Sequence, residues 1–376
     1  MLEFNQKKLG FGLMRLPLTD PSDDSSVNLH AVCDLIDRFL GKGFTYFDTA
    51  WMYHNFCSED IAGSCLSDRY PRDSFTLATK LHRNYIHKVE DRDSIFSEQL
   101  RKTRAEYFDY YLLHGIESVS YEKYSRLDCF NWLLKKKASG YIKHAGFSFH
   151  GTPELLDHIL TEHPEIEFVQ LQINYLDWDS PWIRSRECYE VAVRHDIPVV
   201  VMEPVKGGTL ADLLQNALAA LKKAAPSASA ASWAIRFAAS LPNVKMVLSG
   251  MNSLEQLEDN TALMDHFQPI SEEELLLLTE AASEIRRQTA IPCTGCSYCT
   301  SGCPKKIPIP KIFSLYNEDM REAEAKGWSA TSISYRSITA DNGNPQNCIG
   351  CGQCEKVCPQ HLPVIRNLKE AAAHFS

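Results

Sequence analysis

Short runs rich in β-branched and aromatic residues recur along the chain, each followed by a stretch whose apolar positions return at helical spacing. The runs are LGFGLMRL (9–16), FTYFDTA (44–50), SFTLATKL (74–81), YFDYYLLHG (107–115), IKHAGFSFH (142–150), EFVQLQINY (167–175), IPVVVMEPV (197–205) and VKMVLSGM (244–251). A helix between two strands carries the chain back to run parallel to its predecessor, so the pattern predicts a parallel sheet of the α/β class. Eight such units in about 250 residues favour a closed (β/α)8 TIM barrel over an open doubly wound sheet. No G-x-G-x-x-G follows the first run, which counts against a Rossmann fold. Ser58, Asp91, Thr152 and Ser253 fit helix N-caps. A last amphipathic stretch, SEEELLLLTEAASEIRRQ (271–288), has a capping box in Ser271 and Glu274 and is expected to close the barrel.

The 376 residues are 44% apolar and 23% charged, ordinary values for a soluble globular protein. A net charge of −9 weighs against wholesale binding of nucleic acid or an anionic membrane. No apolar run reaches the roughly 18 residues of a membrane span, and the first residues carry no secretory pattern. The expectation is a cytoplasmic protein with no membrane span and no nucleic-acid partner.

The cysteines divide the chain. Cys33, Cys57, Cys65, Cys129 and Cys188 are dispersed and read as small buried or half-buried thiols. The other eight fall in two quartets near the C-terminus, Cys293, Cys296, Cys299, Cys303 and Cys348, Cys351, Cys354, Cys358. Each reads C-x2-C-x2-C-x3-C-P. Residues 291–376 hold 9 basic and 7 acidic residues, net +2, against 30 and 41, net −11, in the remainder. Two compositions imply two domains, a barrel over 1–285 and a small α-rich domain over 286–376. Between the quartets, IPKIFSLYNEDMREAEAKG is expected to be a helix ended by Gly327, and Ala340 to Asn347 a loop.

The quartet is the run by which bacterial ferredoxins hold [4Fe–4S] clusters. Zinc sites more often pair two CxxC knuckles, and a reducing cytosol opposes disulfides. In two-cluster ferredoxins the fourth cysteine serves the other cluster. That resemblance implies that residues 286–376 form a ferredoxin-like iron–sulfur domain, with one cluster on Cys293, Cys296, Cys299 and Cys358 and a second on Cys348, Cys351, Cys354 and Cys303.

In a barrel of this kind chemistry sits at the C-terminal strand ends. There the sequence places Asp48, Tyr53 in the following loop, Lys80, His114, Ser148, Asn174 and Glu203. Singly, each has a structural explanation: a helix cap, a solvated charge, a hydrogen-bonded core histidine. Together they form a coherent set. A phenol titrates near pH 10, too high to protonate a carbonyl oxygen readily at neutral pH. A lysine ammonium beside Tyr53 favours the phenolate, and Asp48 holds and neutralises that lysine. Moving a tyrosine from about 10 to about 7 takes roughly 4 kcal/mol of differential stabilisation. His114 donates a hydrogen bond to the carbonyl oxygen as charge develops.

FDTAWMYHN, LATK and YLLHG resemble the aldo-keto reductases, whose Asp–Tyr–Lys–His tetrad matches Asp48, Tyr53, Lys80 and His114. The resemblance implies a nicotinamide cofactor, NADP or NAD. Gly12, Leu13, Met14 and Arg15 lie under it, with Asp48 at the same mouth and Ser148 and Gln170 toward its carboxamide. MEPVKGG resembles the loop that cradles the pyrophosphate: Met202, Glu203, Pro204, Val205, Lys206, Gly207 and Gly208, with Lys206 as a phosphate partner. SGMNSLEQLEDN resembles the adenosine-binding segment, with Gly250, Met251, Gln256 and Asn260 at the matching positions. Three positions depart from the common pattern. Phe149 stands where many members have asparagine, Met202 where an aromatic often stacks on nicotinamide, and Gln256 where NADPH-dependent members often have arginine. The choice between NADPH and NADH therefore stays open.

These features imply an NAD(P)H-dependent oxidoreductase acting on a small carbonyl or alcohol, with two [4Fe–4S] clusters. A hydride carries two electrons and a cluster normally one, so the clusters transfer electrons to a ferredoxin-like redox partner through a mediator, or are structural, or sense oxygen. The alternative function is a nicotinamide-binding regulatory or electron-relay subunit. Loops 84–93, 117–126 and 177–182 contain Tyr85, Tyr121, Tyr124, Trp178 and Trp182, which suit either an aromatic substrate pocket or packing on a neighbouring domain.

Overall fold

The eight runs form eight parallel strands: β1 (Leu9–Gly12), β2 (Tyr46–Asp48), β3 (Thr76–His82), β4 (Phe108–Ile116), β5 (Ile142–Phe149), β6 (Phe168–Gln172), β7 (Val199–Met202) and β8 (Val244–Ser249). They pair in chain order and β8 returns to β1, which closes the barrel. Closure leaves no strand edge open to pairing with another chain. The computed structural model describes residues 7–21, 23–181, 183–213, 215–322 and 330–375.

Period-two alternation sorts each strand into an inward and an outward set. Tyr46, Ala78, Tyr110, Leu112, Phe168, Val200, Met246 and Leu248 form one buried apolar cluster inside the barrel. Such bulky side chains fit only where neighbours yield space. Gly10 provides it beside Tyr46 and Leu248, because a Cβ there would lie 2.7 Å from the Leu248 side chain. Gly146 does the same beside Phe168, with a Cβ only 2.6 Å from the Phe168 carbonyl oxygen. The outward set packs under helices. Helix Leu29–Gly41 buries Val32, Leu35, Ile36 and Phe39, and the Phe39 ring stands 5.5 Å from both Phe11 and Phe47. Asn28 caps that helix by accepting the Ala31 N–H at 3.1 Å.

Two of the four expected caps form: Thr152 and Ser253 accept the N–H groups of Leu155 and Gln256, each at 3.3 Å. The other two are corrected. Ser58 lies inside helix Ser58–Ala62, fully buried, and its hydroxyl bonds the Leu13 carbonyl at 3.0 Å and the Thr49 hydroxyl at 2.8 Å. A buried hydroxyl takes whatever partner is in reach. Asp91 lies in the first turn of helix Val89–Thr103 and reaches back to the N–H groups of His87 and Lys88, at 2.6 and 3.0 Å. It is the acid of a capping box, with Lys88 as the cap.

The chain divides into two compact units, and the second comprises Ser180–Ile183, Lys206–Ala230 and Glu272–Ser376. Helix Glu272–Gln288 packs on helix Gln215–Ala224, and both belong to the second unit. Its buried stripe of Leu278, Ala281, Ala282 and Ile285 needs an apolar partner, and Ala217 and Leu221 offer one. Helices Ile309–Glu322, Ala330–Asp341 and Val364–His374 gather around Ile291, Ile307, Ile312, Phe313, Val364 and Leu368. The loop expected over Ala340–Asn347 is only partly one. Asp341 ends a helix and Pro345–Asn347 form a short 3-10 turn. Gly327 and Trp182 lie outside the described residues. No helix among the described residues is long and apolar enough to cross a membrane.

Gly146→Ala is expected to lower the unfolding free energy of the barrel by about 1–3 kcal/mol, since its methyl group must displace the β6 backbone. Urea unfolding followed by tryptophan fluorescence reads this, and a wild-type midpoint would contradict the packing described here.

Candidate functional site

Above the apolar layer, the inward positions turn polar. Asp48 ends β2, Lys80 stands on β3 and His114 on β4. Register brings Asp48 opposite Ala78, two residues before Lys80, and His82 opposite His114. The Lys80 ammonium donates to Asp48 Oδ1 at 2.5 Å, to the Thr49 carbonyl at 2.8 Å and to the Tyr53 hydroxyl oxygen at 3.5 Å. Lys80 is 0% exposed and Tyr53 9%. Gln170 Nε2 donates to the other Asp48 oxygen at 3.2 Å. The Tyr53 and His114 rings meet edge to face at 5.9 Å. The structure thus brings together Asp48, Tyr53, Lys80 and His114, three of them from successive strands.

Burial governs the charges. It pushes the Asp48 carboxyl up and the Lys80 ammonium down from their ordinary values, and the attraction within the pair opposes both shifts. His114 is held well below an ordinary histidine, first by burial and then by His82 and Lys80 nearby. His82 is pushed down to about 3, by burial and then by Arg83 and Lys123. Both imidazoles are therefore neutral at pH 7.

Tyr53 is presented by an unusual turn. His54, Asn55 and Phe56 all have left-handed backbone, with φ of 49°, 49° and 70°. Each such non-glycine residue costs roughly 1–2 kcal/mol, so the turn persists only if its surroundings impose it. His54 supplies much of that. Its Nε2 accepts the Leu16 N–H at 3.0 Å and its Nδ1 lies 2.9 Å from the Asp24 carbonyl, which only accepts. The partners place the imidazole hydrogen on Nδ1. Lys102 donates to the Phe56 carbonyl at 2.5 Å.

A second buried layer lies behind Lys80. Glu59 Oε1 accepts the Thr79 hydroxyl and Gln99 Nε2, each at 2.6 Å. Gln99 Nε2 also donates to the Lys80 carbonyl at 3.0 Å, and Gln99 Oε1 accepts the Tyr111 hydroxyl at 2.6 Å. Glu59 Oε2 is buried without a hydrogen-bond partner. Burial, outweighing those bonds, pushes the Glu59 carboxyl up to about 7. Sequence reasoning missed His54, Glu59 and Gln99. Gln99 did carry a signal: it sits on the buried stripe of Ile95, Phe96, Gln99 and Thr103, where an amide in an apolar row calls for partners. His54 and Asn55 are residue types that enter the left-handed region more readily than most, but Phe56 is not, so the run of three has no local signature.

Of the aromatic loop residues, Tyr85 faces the site. It packs on His82 at 5.6 Å and Phe56 at 5.3 Å, and Phe56 packs on Trp51 at 6.1 Å. Tyr124 does not: fully buried, it clamps the ends of β3 and β4 by donating to the Leu81 carbonyl at 2.8 Å, 2.9 Å from that of His114. Tyr121 bonds Glu162, and Trp178 packs on Tyr189 and Phe237.

Ser148 and Gln170 are register neighbours on β5 and β6. Ser148 Oγ accepts the Gly115 N–H at 2.7 Å and keeps its own hydrogen to donate. Gln170, anchored through its amide nitrogen, keeps its oxygen to accept. One donor and one acceptor side by side fit a carboxamide. Leu13 donates its N–H to the Asp48 carbonyl at 2.8 Å, beside Gly12 and Met14. Arg15 Nη2 bonds Glu203 Oε1 at 3.3 Å; Glu203 is left-handed, φ 56°, with Oε2 buried and unbonded. Asn260 donates to the Ser249 hydroxyl at 3.1 Å, next to Gly250 and buried Met251, while Gln256 is exposed and accepts the Asn252 N–H at 2.9 Å. Met202 ends β7, followed by Pro204 and Val205. Lys206, expected as a phosphate partner, is 3% exposed and donates to Gln360 Oε1 at 2.9 Å, both within the second unit. Gly207 and Gly208 follow with φ of 65° and 104°.

The two cysteine quartets adopt one backbone pattern. Two and four residues after the first cysteine the chain is left-handed, at Gly295 and Ser297 and again at Gly350 and Gly352, with φ between 61° and 75°. Three residues after the fourth cysteine, Lys306 and His361 both have φ 51°. The Cys303, Cys348, Cys351 and Cys354 side chains line one cleft with Ile307, Ile309, Ile349, Ile365 and Leu368. In the other set, burial and then the neighbouring Cys296, Cys293 and Cys358 raise the Cys299 thiol. Among the described residues no group of three His, Cys, Asp or Glu side chains converges as on a single metal ion. A cube of four irons takes its thiolates at separate corners, and the fourth cysteine of each quartet stands with the other three of its partner. The residues fit two clusters.

Residues 8–283 match the aldo/keto reductase family, and residues 292–362 match the 4Fe-4S dicluster domain. An uncharacterized oxidoreductase, YqkF of Bacillus subtilis (strain 168), is 23% identical over 257 residues, covering 60% of this chain and 79% of its own. Acetyl-CoA decarbonylase/synthase complex subunit alpha 1 of Methanosarcina barkeri is 29% identical over 80 residues, 21% of this chain and 8% of that subunit. An aldo-keto reductase from Klebsiella pneumoniae in complex with NADPH superposes with TM-score 0.57 at 18% identity, covering 73% of this chain and 90% of its own. The holo form of a Bacillus halodurans aldo-keto reductase gives 0.58 at 22%, covering 73% and 91%. At these identities the structural likeness concerns the fold.

Glu59 sets a pH dependence of stability. Its folded pKa of about 7 exceeds the ordinary 4.5, so the native state holds the proton more tightly. Stability is fully present below about pH 4.5 and declines as pH rises through 7, by up to about 3 kcal/mol. Glu59→Gln keeps the accepting oxygen without the charge. Its stability relative to wild type is expected to rise between pH 5 and pH 8 in parallel urea titrations, and a constant difference would exclude a buried titrating Glu59.

Proposed function

This chain belongs to the aldo/keto reductase family, and from that premise we propose that it is an NAD(P)H-dependent oxidoreductase interconverting a small carbonyl compound and its alcohol. The observation that carries the reading is the buried ammonium held between a carboxylate and a phenol, Lys80 between Asp48 and Tyr53. A bound nicotinamide supplies or accepts the hydride at the substrate carbon. Ser148 and Gln170 would hold its carboxamide, and Gly12, Leu13, Met14 and Arg15 would lie along the rest of it.

Tyr53 moves the proton. When its hydroxyl protonates the carbonyl oxygen, the phenolate left behind faces an ammonium at 3.5 Å in a site with little water to screen it. Asp48 and the Thr49 carbonyl keep Lys80 charged and aimed. Neutral His114 offers a ring N–H to the carbonyl oxygen without competing as an acid. The wall of Trp51, Phe56, Tyr85 and His82 favours a substrate with an apolar or aromatic group beside its carbonyl.

The dicluster match supports a second reading, a nicotinamide-binding electron-relay subunit that serves a ferredoxin-like partner. It places the two-electron chemistry of the barrel in exchange with one-electron centres.

Tyr53→Phe is expected to lower kcat for aldehyde reduction by about 10²–10⁴-fold while leaving the nucleotide dissociation constant within a few-fold of wild type. Wild-type turnover in that variant would defeat the reductase reading. Anaerobic mixing of the iron-loaded protein with NADPH or NADH and no carbonyl separates the two readings. Prompt loss of cluster absorbance supports the relay; unchanged absorbance with carbonyl reduction intact leaves a reductase with structural or sensing clusters.

A further inference from the structure

The second unit contains an internal repeat that extends beyond its cysteines. Residues 55 apart correspond: Cys293 with Cys348, Cys303 with Cys358. The left-handed residues recur at equal offsets, as do the bonds that follow them. Lys306 N–H reaches the Cys303 carbonyl and His361 N–H that of Cys358, each at 3.0 Å; Ile309 N–H reaches Ile307 and Val364 N–H reaches Leu362, at 2.9 and 2.8 Å. Helices Ile309–Glu322 and Val364–His374 then start at the same offset.

The two halves differ in what covers them. On the side of the first cluster, Thr294 and Gln360 are 5% and 6% exposed. They are covered by residues of the chain itself. Lys206 donates to Gln360 at 2.9 Å, and Gly207 lies so close that a Cβ would stand 2.3 Å from the Thr294 carbonyl oxygen. Under the repeat, Thr294 corresponds to Ile349 and Gln360 to Lys305. Those two line the cleft of Cys303, Cys348, Cys351 and Cys354, and there Ile349 is 61% exposed and Lys305 is exposed as well. The flank that is covered at one cluster is bare at the other.

We propose that the bare flank, centred on Ile349 and Lys305, is the docking surface for an acidic one-electron carrier protein. The carrier takes at the second cluster the place that Lys206 and Gly207 take at the first. An exposed isoleucine between two cluster ligands supplies an apolar contact that expels water, and the cleft lining has a cation, Lys305, and no carboxylate. Where the first flank pairs Lys206 with the Gln360 amide, the second offers an ammonium, which selects a carboxylate on the partner. In the exchange the reduced carrier loses one electron and the cluster beneath Ile349 gains one. Cys351, itself exposed, puts that cluster at the surface where a carrier can approach. The inference rests on the electron-relay reading.

The test is the binding of an acidic [2Fe–2S] ferredoxin to the full-length, iron-loaded protein, by isothermal titration at several salt concentrations. Expected are a dissociation constant that rises with salt and an increase of at least tenfold in both Ile349→Asp and Lys305→Glu, with iron content and cluster spectra unchanged. Lys223→Glu makes the same change of charge on helix Gln215–Ala224 and is expected to stay within twofold of wild type. Binding equal in all four proteins, or an equal loss in Lys223→Glu, would overturn the assignment of this flank. So would an absence of binding to the wild type. Loss of cluster absorbance with NADPH tests the relay reading separately, so a relay without this docking surface would be recognised.

Discussion

A fully buried ammonium sets the terms for the barrel. Lys80 has no solvent contact, and charge in such a place survives only when it is paired and hydrogen-bonded. Asp48, the Thr49 carbonyl and the Tyr53 oxygen meet that need from β2 and the loop after it. Removing one partner from a pair of this kind typically costs about 3–5 kcal/mol, because the other charge is left buried alone. Beneath the pair, the closed ring of Tyr46, Tyr110, Phe168 and Met246 excludes water, which strengthens the attraction within the pair. The barrel's closure and the tetrad's electrostatics are therefore one constraint.

That constraint spreads outward through backbone groups. The Thr79–Glu59–Gln99–Tyr111 network ends on the carbonyl of Lys80 and steadies the strand behind it. On the opposite side, three left-handed residues carry Tyr53, and a histidine bridging Leu16 and Asp24 holds them. Strain near the reacting group is tolerated because neighbouring strands and loops impose it.

The second unit is stabilised differently. Its helices surround a modest apolar cluster into which six of the eight cysteine side chains of the quartets pack. Repetition of one left-handed turn at both quartets shows what each C-x2-C segment requires: glycine at three of the four positions, and at the fourth a serine, Ser297, in the same region of φ.

The strand runs, the two quartets and the four polar residues at three strand ends and the loop after β2 were legible in the chain, because period, spacing and residue type are local properties. Helix ends were less so. Ser58 and Asp91 look like caps, but a buried hydroxyl found tertiary partners and a carboxylate reached back one turn. Helix Ala330–Asp341 is rich in Ser and Thr and carries little helical signal of its own. It forms where Tyr335 is buried against Phe375, at 4.4 Å. The sequence by itself thus determined the strand–helix order, the chemical inventory and the two cysteine sets. Only the tertiary structure decided which groups became neighbours: Glu59 and Gln99 behind Lys80, Tyr124 in the core, and Lys206 on Gln360 with its counterpart Lys305 left bare. The physical reason is that burial and pairing depend on contacts between residues distant in the chain, which no local pattern encodes.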